Sequence, residues 1–386
     1  MTRRATPPVA LRLTALAAAI AVAVAACGAA SGTTAHPAAA APGVAAQVAP
    51  PTVTLAAADR RRYEAFRSQA GSGPPLILVY HDVQPRPDPP YTVSPGQLAS
   101  HLAMLRAAGF TPVTAQQVTA WVRGRPLPPR SVLVTFDDST KGTWTYGDPV
   151  LAAAGFHATS FVITGWVGTH QPYYLTWDEL ARMQESGRWD LESHSRFGHQ
   201  RLPVDGPGQA APAPALINRL WLTGSQRLET IEEFRARVQA DLGGSQADLV
   251  AHGLPRPTLF AYPFSAAAVP TDDPAAAAAT AEVVRQLFAA SLVDSATNGA
   301  MSPDDVGRRV LRRLDVGTAT TTARLFDLVR AGFAQRRKML RRSLQPVLGA
   351  RAEAVLGAAG VAPTARAEAL GLHEWAAVAQ SASVAA

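Results

Sequence analysis

The chain has 386 residues, 47% of them hydrophobic, and a formal charge of +7 at pH 7. That apolar content excludes a disordered chain and suits one large domain or two modest ones, and a single cysteine, Cys27, excludes an intrachain disulfide. The charge is local, with 12 Lys and Arg against Asp315 and Asp327 over residues 306–351, so basicity is not a property of the whole surface.

Residues 1–27 read as an export signal, with a basic start, an apolar run over 13–26 and small residues up to Cys27. The run is too short and too Ala-rich for a spanning helix. "VAAC" followed by Gly28 resembles a bacterial lipoprotein signal, and the resemblance implies lipidation of Cys27 and an exported protein anchored outside the cytoplasmic membrane. Residues 28–57, rich in Ala and Pro, read as a flexible tether.

A short charged helix is expected over 59–69, and "PLILVYHDV" then opens the folded part with a buried strand. "SPGQLASHLAMLRAAGF" is a helix with a Ser94 cap, Pro95 in its first turn and a Gly109 stop. "SVLVTF" and "ATSFVIT" are strands, "GDPVLAAAGF" and the capped "TWDELARMQESG" helices, and "WDLESHS" a strand end. "TIEEFRARVQADLGGSQADLVAHG" is helical, and "PTLFAYPF" and "RRVLRRLD" are strand candidates. Repeated β–α units of this length predict an α/β fold with a parallel sheet, closed or open, and active residues at the carboxyl ends of strands.

Two such ends are rich in chemistry. Asp137 and Asp138 follow "SVLVTF" directly, and adjacent carboxylates at a buried strand's end are costly without a cation, although a plain surface turn has the same pattern. "SHSRFGH" places His194 and His199 five apart. Residues five apart on a helix stand about 140° apart around its axis, so a loop must bring the rings together if they meet at all. Imidazoles and a carboxylate at one sheet end suit Zn²⁺ or a neighbouring divalent ion.

"TFDDS", "SHSRFGH" and "FAYPFS", in this order, resemble the polysaccharide deacetylases of the NodB-homology type, and the "YHDV" strand and five-residue histidine gap are most similar to the poly-N-acetylglucosamine deacetylase branch. The resemblance implies a deformed (β/α) barrel over 58–318. It also implies Asp138, His194 and His199 as ligands of a divalent metal, Zn²⁺ or else Co²⁺ or Ni²⁺, and Asp137 as the general base. His81 would protonate the leaving amine, and a backbone N–H near Tyr262 would stabilise the oxyanion. The implied substrate is an acetylated amino-sugar polymer such as poly-N-acetylglucosamine or peptidoglycan. Asp82 is expected on the barrel wall.

Ser139 and Ser265 stand where the family usually has glycine, which puts substrate preference in question and leaves a carbohydrate-binding barrel with impaired catalysis as an alternative. Tyr91, Trp144, Tyr146, Trp166, Tyr173 and Trp177 could stack on sugars, though packing accounts for most such residues. The Pro/Gly-rich stretch after His199 is either a flap or an inert excursion.

Residues 319–386 read as a basic helical segment, with Phe326, Val329, Phe333, Leu340 and Leu344 expected on one stripe. "GFAQRRKMLRRSL" and "PTARAEALGLHEW" resemble the C-terminal helical domain of ribosomal-RNA dimethyladenosine transferases. The cofactor loop and catalytic motif of that family have no counterpart in the chain, so no methylation is expected and nucleic acid is not an expected partner.

Overall fold

A run such as Leu76–Tyr80, buried at all five positions, needs a parallel sheet covered on both faces. The computed structural model describes residues 48–67, 73–206, 211–269, 271, 273–295, 301–335, 344, 348–363, 377–378 and 381–382. The predicted signal, with Cys27, and most of the predicted tether lie outside these residues.

Strands β1 (Leu76–Tyr80), β2 (Ser131–Phe136), β3 (Ala158–Val162), β4 (Trp189–Ser193), β5 (Leu259–Ala261), β6 (Ala290–Ser295) and β7 (Val310–Asp315) form the wall. Each pairs in parallel with the next in sequence. β7 returns to β1 through Leu78 opposite Leu314, which closes the barrel. The ladder between β4 and β5 is reduced to one position, Phe260 opposite Ser193. A short strand, Thr111–Pro112, lies outside β2.

Helices α1 (Ala57–Phe66), α2 (Pro95–Ala107), α3 (Ala115–Val122), α4 (Asp148–Ala154), α5 (Trp177–Glu185), α6 (Ile231–Ala251), α7 (Pro274–Leu287), α8 (Pro303–Gly307) and α9 (Thr322–Gln335) accompany the strands. Their starts follow local chemistry. Ser94 accepts from the Gln97 N–H at 3.1 Å ahead of Pro95, and Thr176 with Glu179 and Thr230 with Glu233 close capping boxes on α5 and α6. The strands and helices expected within residues 59–315 form; α3, α7, α8, β6 and the short strand Thr111–Pro112 come in addition.

Ile77, Leu133, Phe161, Leu259, Ala261, Leu292 and Leu311 share one buried cluster. Stepping by two along a strand keeps the same face, so Leu133 leads to Asp137, Leu292 to Asp294 and Leu311 to Arg313. The apolar plug thus turns polar and charged toward the carboxyl ends.

Leu325, Phe326 and Val329 of α9 lie in the same buried cluster as Tyr63 and Phe66 of α1. The Phe326 ring stands 4.6 Å from that of Tyr63 and 5.7 Å from that of Phe66, and Arg62 pairs with Asp327. The helix that sequence assigned to a separate basic segment beyond 318 therefore packs into the barrel domain, because its apolar stripe covers α1. Leu344 packs instead with Val355, Leu356, Val361 and Val378 in a small cluster. The basic run 336–343 lies outside the described residues.

The excursion after His199 is tied down by two antiparallel ladders, Arg201–Leu202 with Ala213–Pro214 and Trp221–Leu222 with Arg227–Leu228. Leu216 and Ile217 bury against Phe234, Val238 and Ala279 of α6 and α7.

Candidate active site

β2 ends at Phe136, and Asp137 continues its inward face, 2% exposed. Asp138 at φ +69° and Ser139 at φ +53° then turn through the left-handed region, on the order of 1 kcal/mol of strain for each residue. The Ser139 hydroxyl donates to the Asp138 carbonyl at 2.6 Å. Serine thus occupies a backbone conformation that suits glycine better.

β4 delivers His194 at its carboxyl end. The His194 Nδ1–H donates to the Ala261 carbonyl of β5 at 2.8 Å, which leaves Nε2 as the lone-pair nitrogen. The chain bends at Ser195, φ +74°, and passes so close to Leu216 at Gly198 that a Cβ there would lie 2.7 Å from Leu216 Cδ2. This bend returns His199 to the same mouth. Its ring packs 4.4 Å from Phe264 and 5.5 Å from Trp166.

Asp138 Oδ1 lies 3.5 Å from His194 Nε2 and 3.4 Å from His199 Nε2. The three ligand atoms all fall within 4.8 Å of one another, and the buried Oδ1 has no hydrogen-bond partner. Ligand atoms bound at about 2.1 Å in a tetrahedral site stand about 3.4 Å apart, so these residues fit a divalent metal ion. The expected ligands are thereby brought together.

Asp137 is held differently. Arg313 of β7, fully buried, donates from Nη1 to Asp137 Oδ1 at 2.7 Å and from Nη2 to Oδ2 at 2.8 Å. Its Nε donates to Asp294 Oδ1 of β6 at 2.9 Å, so one guanidinium bridges two carboxylates. Asp137 Oδ2 also lies 3.7 Å from His194 Nε2. Burial pushes the Asp137 carboxyl up, but Arg313 and then His194 outweigh it and hold it below the usual carboxylate range. Burial likewise raises Asp138, and His194 with His199 overcomes it, so that carboxyl is also lowered. Burial pushes His199 down to about 4, helped by the charge of His194. His194 shows the opposite result, because Asp137 and Asp138 overcome its burial and raise it.

His81 follows β1, its ring 4.9 Å from Tyr91 and its buried Nδ1 without a partner. Its charge bears on Asp137, Asp138 and the β7 terminal residue Asp315. Asp82 turns away, accepting from the Val83 N–H at 2.8 Å and from the Thr140 hydroxyl at 2.7 Å, as the wall position implies. The Tyr262 N–H donates to the Leu292 carbonyl at 3.0 Å, so the barrel ladder, not the mouth, takes this donor. Its ring packs outward with Phe260, away from the ligands.

The aromatic residues sort into two groups. Trp144, Tyr146 and Trp177 pack against the hydrophobic core. Tyr91 and Tyr173 are 55% and 51% exposed, and Phe197, inside the histidine loop, is 49% exposed. These three are the exposed large aromatics among the described residues; Tyr91 stands beside His81, and the Tyr173 carbonyl accepts from the Lys141 N–H just beyond Ser139.

Sequence reasoning missed Arg313 and Asp294. Part of the signal was there: an arginine two residues before the last acid of a strand lies on the same face as Leu311, so it points into the barrel if Leu311 does.

A sequence profile described as polysaccharide deacetylase matches residues 124–283. The poly-β-1,6-N-acetyl-D-glucosamine N-deacetylase of Escherichia coli K12 is 27% identical over 190 residues, which cover 46% of this chain and 28% of that protein. The protein of the same description from Staphylococcus aureus MRSA252 is 30% identical over 112 residues, covering 28% of this chain and 39% of its own length. The chain thus spans well under half the length of the curated relatives it matches. Among solved structures, the BpsB deacetylase domain of Bordetella bronchiseptica superposes with a TM-score of 0.51 at 27% identity, over 62% of this chain and 95% of that one. A de-N-acetylase from Aggregatibacter actinomycetemcomitans shares the fold with a TM-score of 0.55 at 20% identity, over 66% of this chain and 99% of that one. The closed parallel barrel and the cluster at its mouth agree with these matches: over residues 124–283 the barrel matches the polysaccharide deacetylase family.

Proposed function

We propose that the chain is a metal-dependent hydrolase that removes N-acetyl groups from an amino-sugar polymer at the cell envelope. The observation that carries this reading is the buried Asp137, clamped by Arg313 and 3.7 Å from His194 of the Asp138–His194–His199 cluster. Two imidazoles and a carboxylate suit Zn²⁺, with Co²⁺ or Ni²⁺ as replacements; such an ion supplies Lewis-acid chemistry, polarising an acetamide carbonyl and acidifying water.

The residues of the chain do the rest. Asp137 accepts a proton from the attacking water, and Arg313 fixes the orientation of that carboxylate. A C–O bond forms to the acetyl carbon, the C–N bond breaks, and the amine takes its proton from His81, whose ring is otherwise unpartnered at Nδ1. Acetate and a free amino sugar are the products. Tyr91, Tyr173 and Phe197 offer apolar faces on which neighbouring sugar rings stack. The relatives named for poly-β-1,6-N-acetyl-D-glucosamine support that polymer as substrate. Lipidation at Cys27 would tether the enzyme outside the membrane; among the described residues no helix is long and apolar enough to cross one.

The test is acetate release by residues 58–386 with Zn²⁺ from β-1,6-linked N-acetylglucosamine oligomers, chitin oligomers and peptidoglycan. Metal-dependent release that vanishes in Asp137→Asn is expected. Stoichiometric zinc binding without acetate from any of the three would sink the reading.

A further inference from the structure

β5 ends at Ala261, paired with Leu292, and β6 runs on past it. In a parallel ladder the Tyr262 N–H donating to Leu292 O is followed by the Asp294 N–H donating to Tyr262 O. That second bond is replaced. The Ser265 N–H takes the Tyr262 carbonyl at 3.0 Å, and the Ser265 hydroxyl accepts the Asp294 N–H at 2.8 Å. Ser265 removes the ladder's acceptor and returns one of its own. To do so Phe264 and Ser265 both adopt left-handed backbone, at φ 58° and 52°, a conformation that glycine would take without strain but without offering an acceptor.

The anchored residue is the one that shares Arg313 with Asp137. The Asp294 N–H donates to the Ser265 hydroxyl, Arg313 Nε donates to Asp294 Oδ1 at 2.9 Å, and Arg313 donates to both Asp137 oxygens at 2.7 and 2.8 Å. We infer that Ser265 is a positioning residue for the general base, holding the end of β6 so that Asp294 keeps Arg313 square to Asp137. This rests on the deacetylase reading, with Asp137 as its base. A glycine at 265 would leave the Asp294 N–H with no ladder partner, and the arginine's second carboxylate would loosen.

The full chain loaded with Zn²⁺ is compared with Ser265→Gly and Ser265→Ala. Glycine relieves backbone strain while removing one hydrogen bond, two effects of similar size and opposite sign, so melting curves run beside the kinetics separate a positioning loss from a folding loss. Both variants should lower kcat on an N-acetylglucosamine oligomer about fivefold to tenfold, with KM and zinc stoichiometry unchanged. Exchange of the Asp294 amide should quicken at least tenfold, and the Arg313 Nε–H resonance in ¹⁵N-arginine-labelled protein should broaden. Unchanged kcat in both variants, or an Asp294 amide as protected as in wild type, overturns the proposal. If wild type binds zinc but releases no acetate, the deacetylase reading fails by itself, and amide exchange with the Arg313 resonance still decides whether Ser265 holds this network.

Discussion

Arg313 meets Asp137 through two parallel hydrogen bonds, 2.7 and 2.8 Å long, with neither side chain more than 3% exposed. A planar guanidinium makes that fork and an ammonium does not. Arg313→Lys should therefore keep the charge but lower kcat by roughly tenfold to a hundredfold, in line with a general base left misaligned. Arg313→Ala should also cost about 3–5 kcal/mol of stability, because the buried Asp137 carboxylate, and the half-buried Asp294 beside it, lose their cation. Steady-state kinetics alongside urea unfolding separates the two effects.

Ligand and base should come apart under mutation. His194→Ala and Asp138→Asn should abolish stoichiometric zinc binding in calorimetry. Asp137→Asn should retain zinc while losing about 10²–10⁴ in kcat. Loss of zinc in Asp137→Asn would move that residue into the ligand set.

The exposed tyrosines should discriminate by substrate size. Tyr91→Ala and Tyr173→Ala should lower kcat/KM on an oligomer about threefold to tenfold each, as expected for stacking contacts of about 0.5–1.5 kcal/mol. Hydrolysis of a small activated acetate ester should be unchanged, since it reaches only the metal centre. Equal losses on both substrates would mean that the rings support the site and not the sugar.

His101 gives the fold an acid sensitivity of its own. It is fully buried, with its Nε2 2.9 Å from the Thr320 carbonyl and its Nδ1 3.1 Å from the Tyr80 hydroxyl. Burial pushes it down to about 4, although the Thr320 carbonyl favours the charged form. The unfolded chain therefore binds the proton first. Stability should fall as pH drops from about 6.5 toward 4, by up to about 1.4 kcal/mol per pH unit from this residue. His101→Gln should be less stable at pH 7 and show a shallower decline. Urea midpoints at pH 7, 6 and 5 measure the difference.

A cut after residue 335 should leave the barrel domain folded, whereas a cut after 318 removes α9 and uncovers Tyr63 and Phe66. Phe326→Ala alone should cost about 3–5 kcal/mol, as buried aromatic truncations do. Thermal melts of the three proteins check this.

What could be read from sequence was what is local. Leu76–Tyr80 is apolar throughout and Ser131–Phe136 nearly so, and Asp137 and Asp138 follow the second directly, while His194 follows the strand end Trp189–Ser193, so neighbours in sequence reveal them. Arg312 and Arg313 show where local reading stops. They are adjacent in a run of like charge, yet Arg312 pairs with Asp305 near the surface and Arg313 is fully buried. Only the closure of β7 against β1 settles which points inward. The apolar stripe of α9 was legible, but its partner, α1, lies more than 250 residues earlier, so the sequence did not show what the stripe covers. Tyr262 is the converse case: its position just after β5 could be read from the motif, but the ladder decides that its N–H goes to Leu292.

The wall of the barrel is thinnest between β4 and β5, where one ladder position joins the strands. Side chains close the gap that backbone leaves. Glu192 accepts from the Thr258 and Leu259 N–H groups at 2.6 and 2.7 Å, and one turn of the strand above it the His194 ring reaches across to Ala261. The imidazole that offers one nitrogen to the metal site fastens a seam with the other. Swinging it out of the mouth would unfasten the wall as well, so the barrel cannot let go of its ligand without beginning to come open.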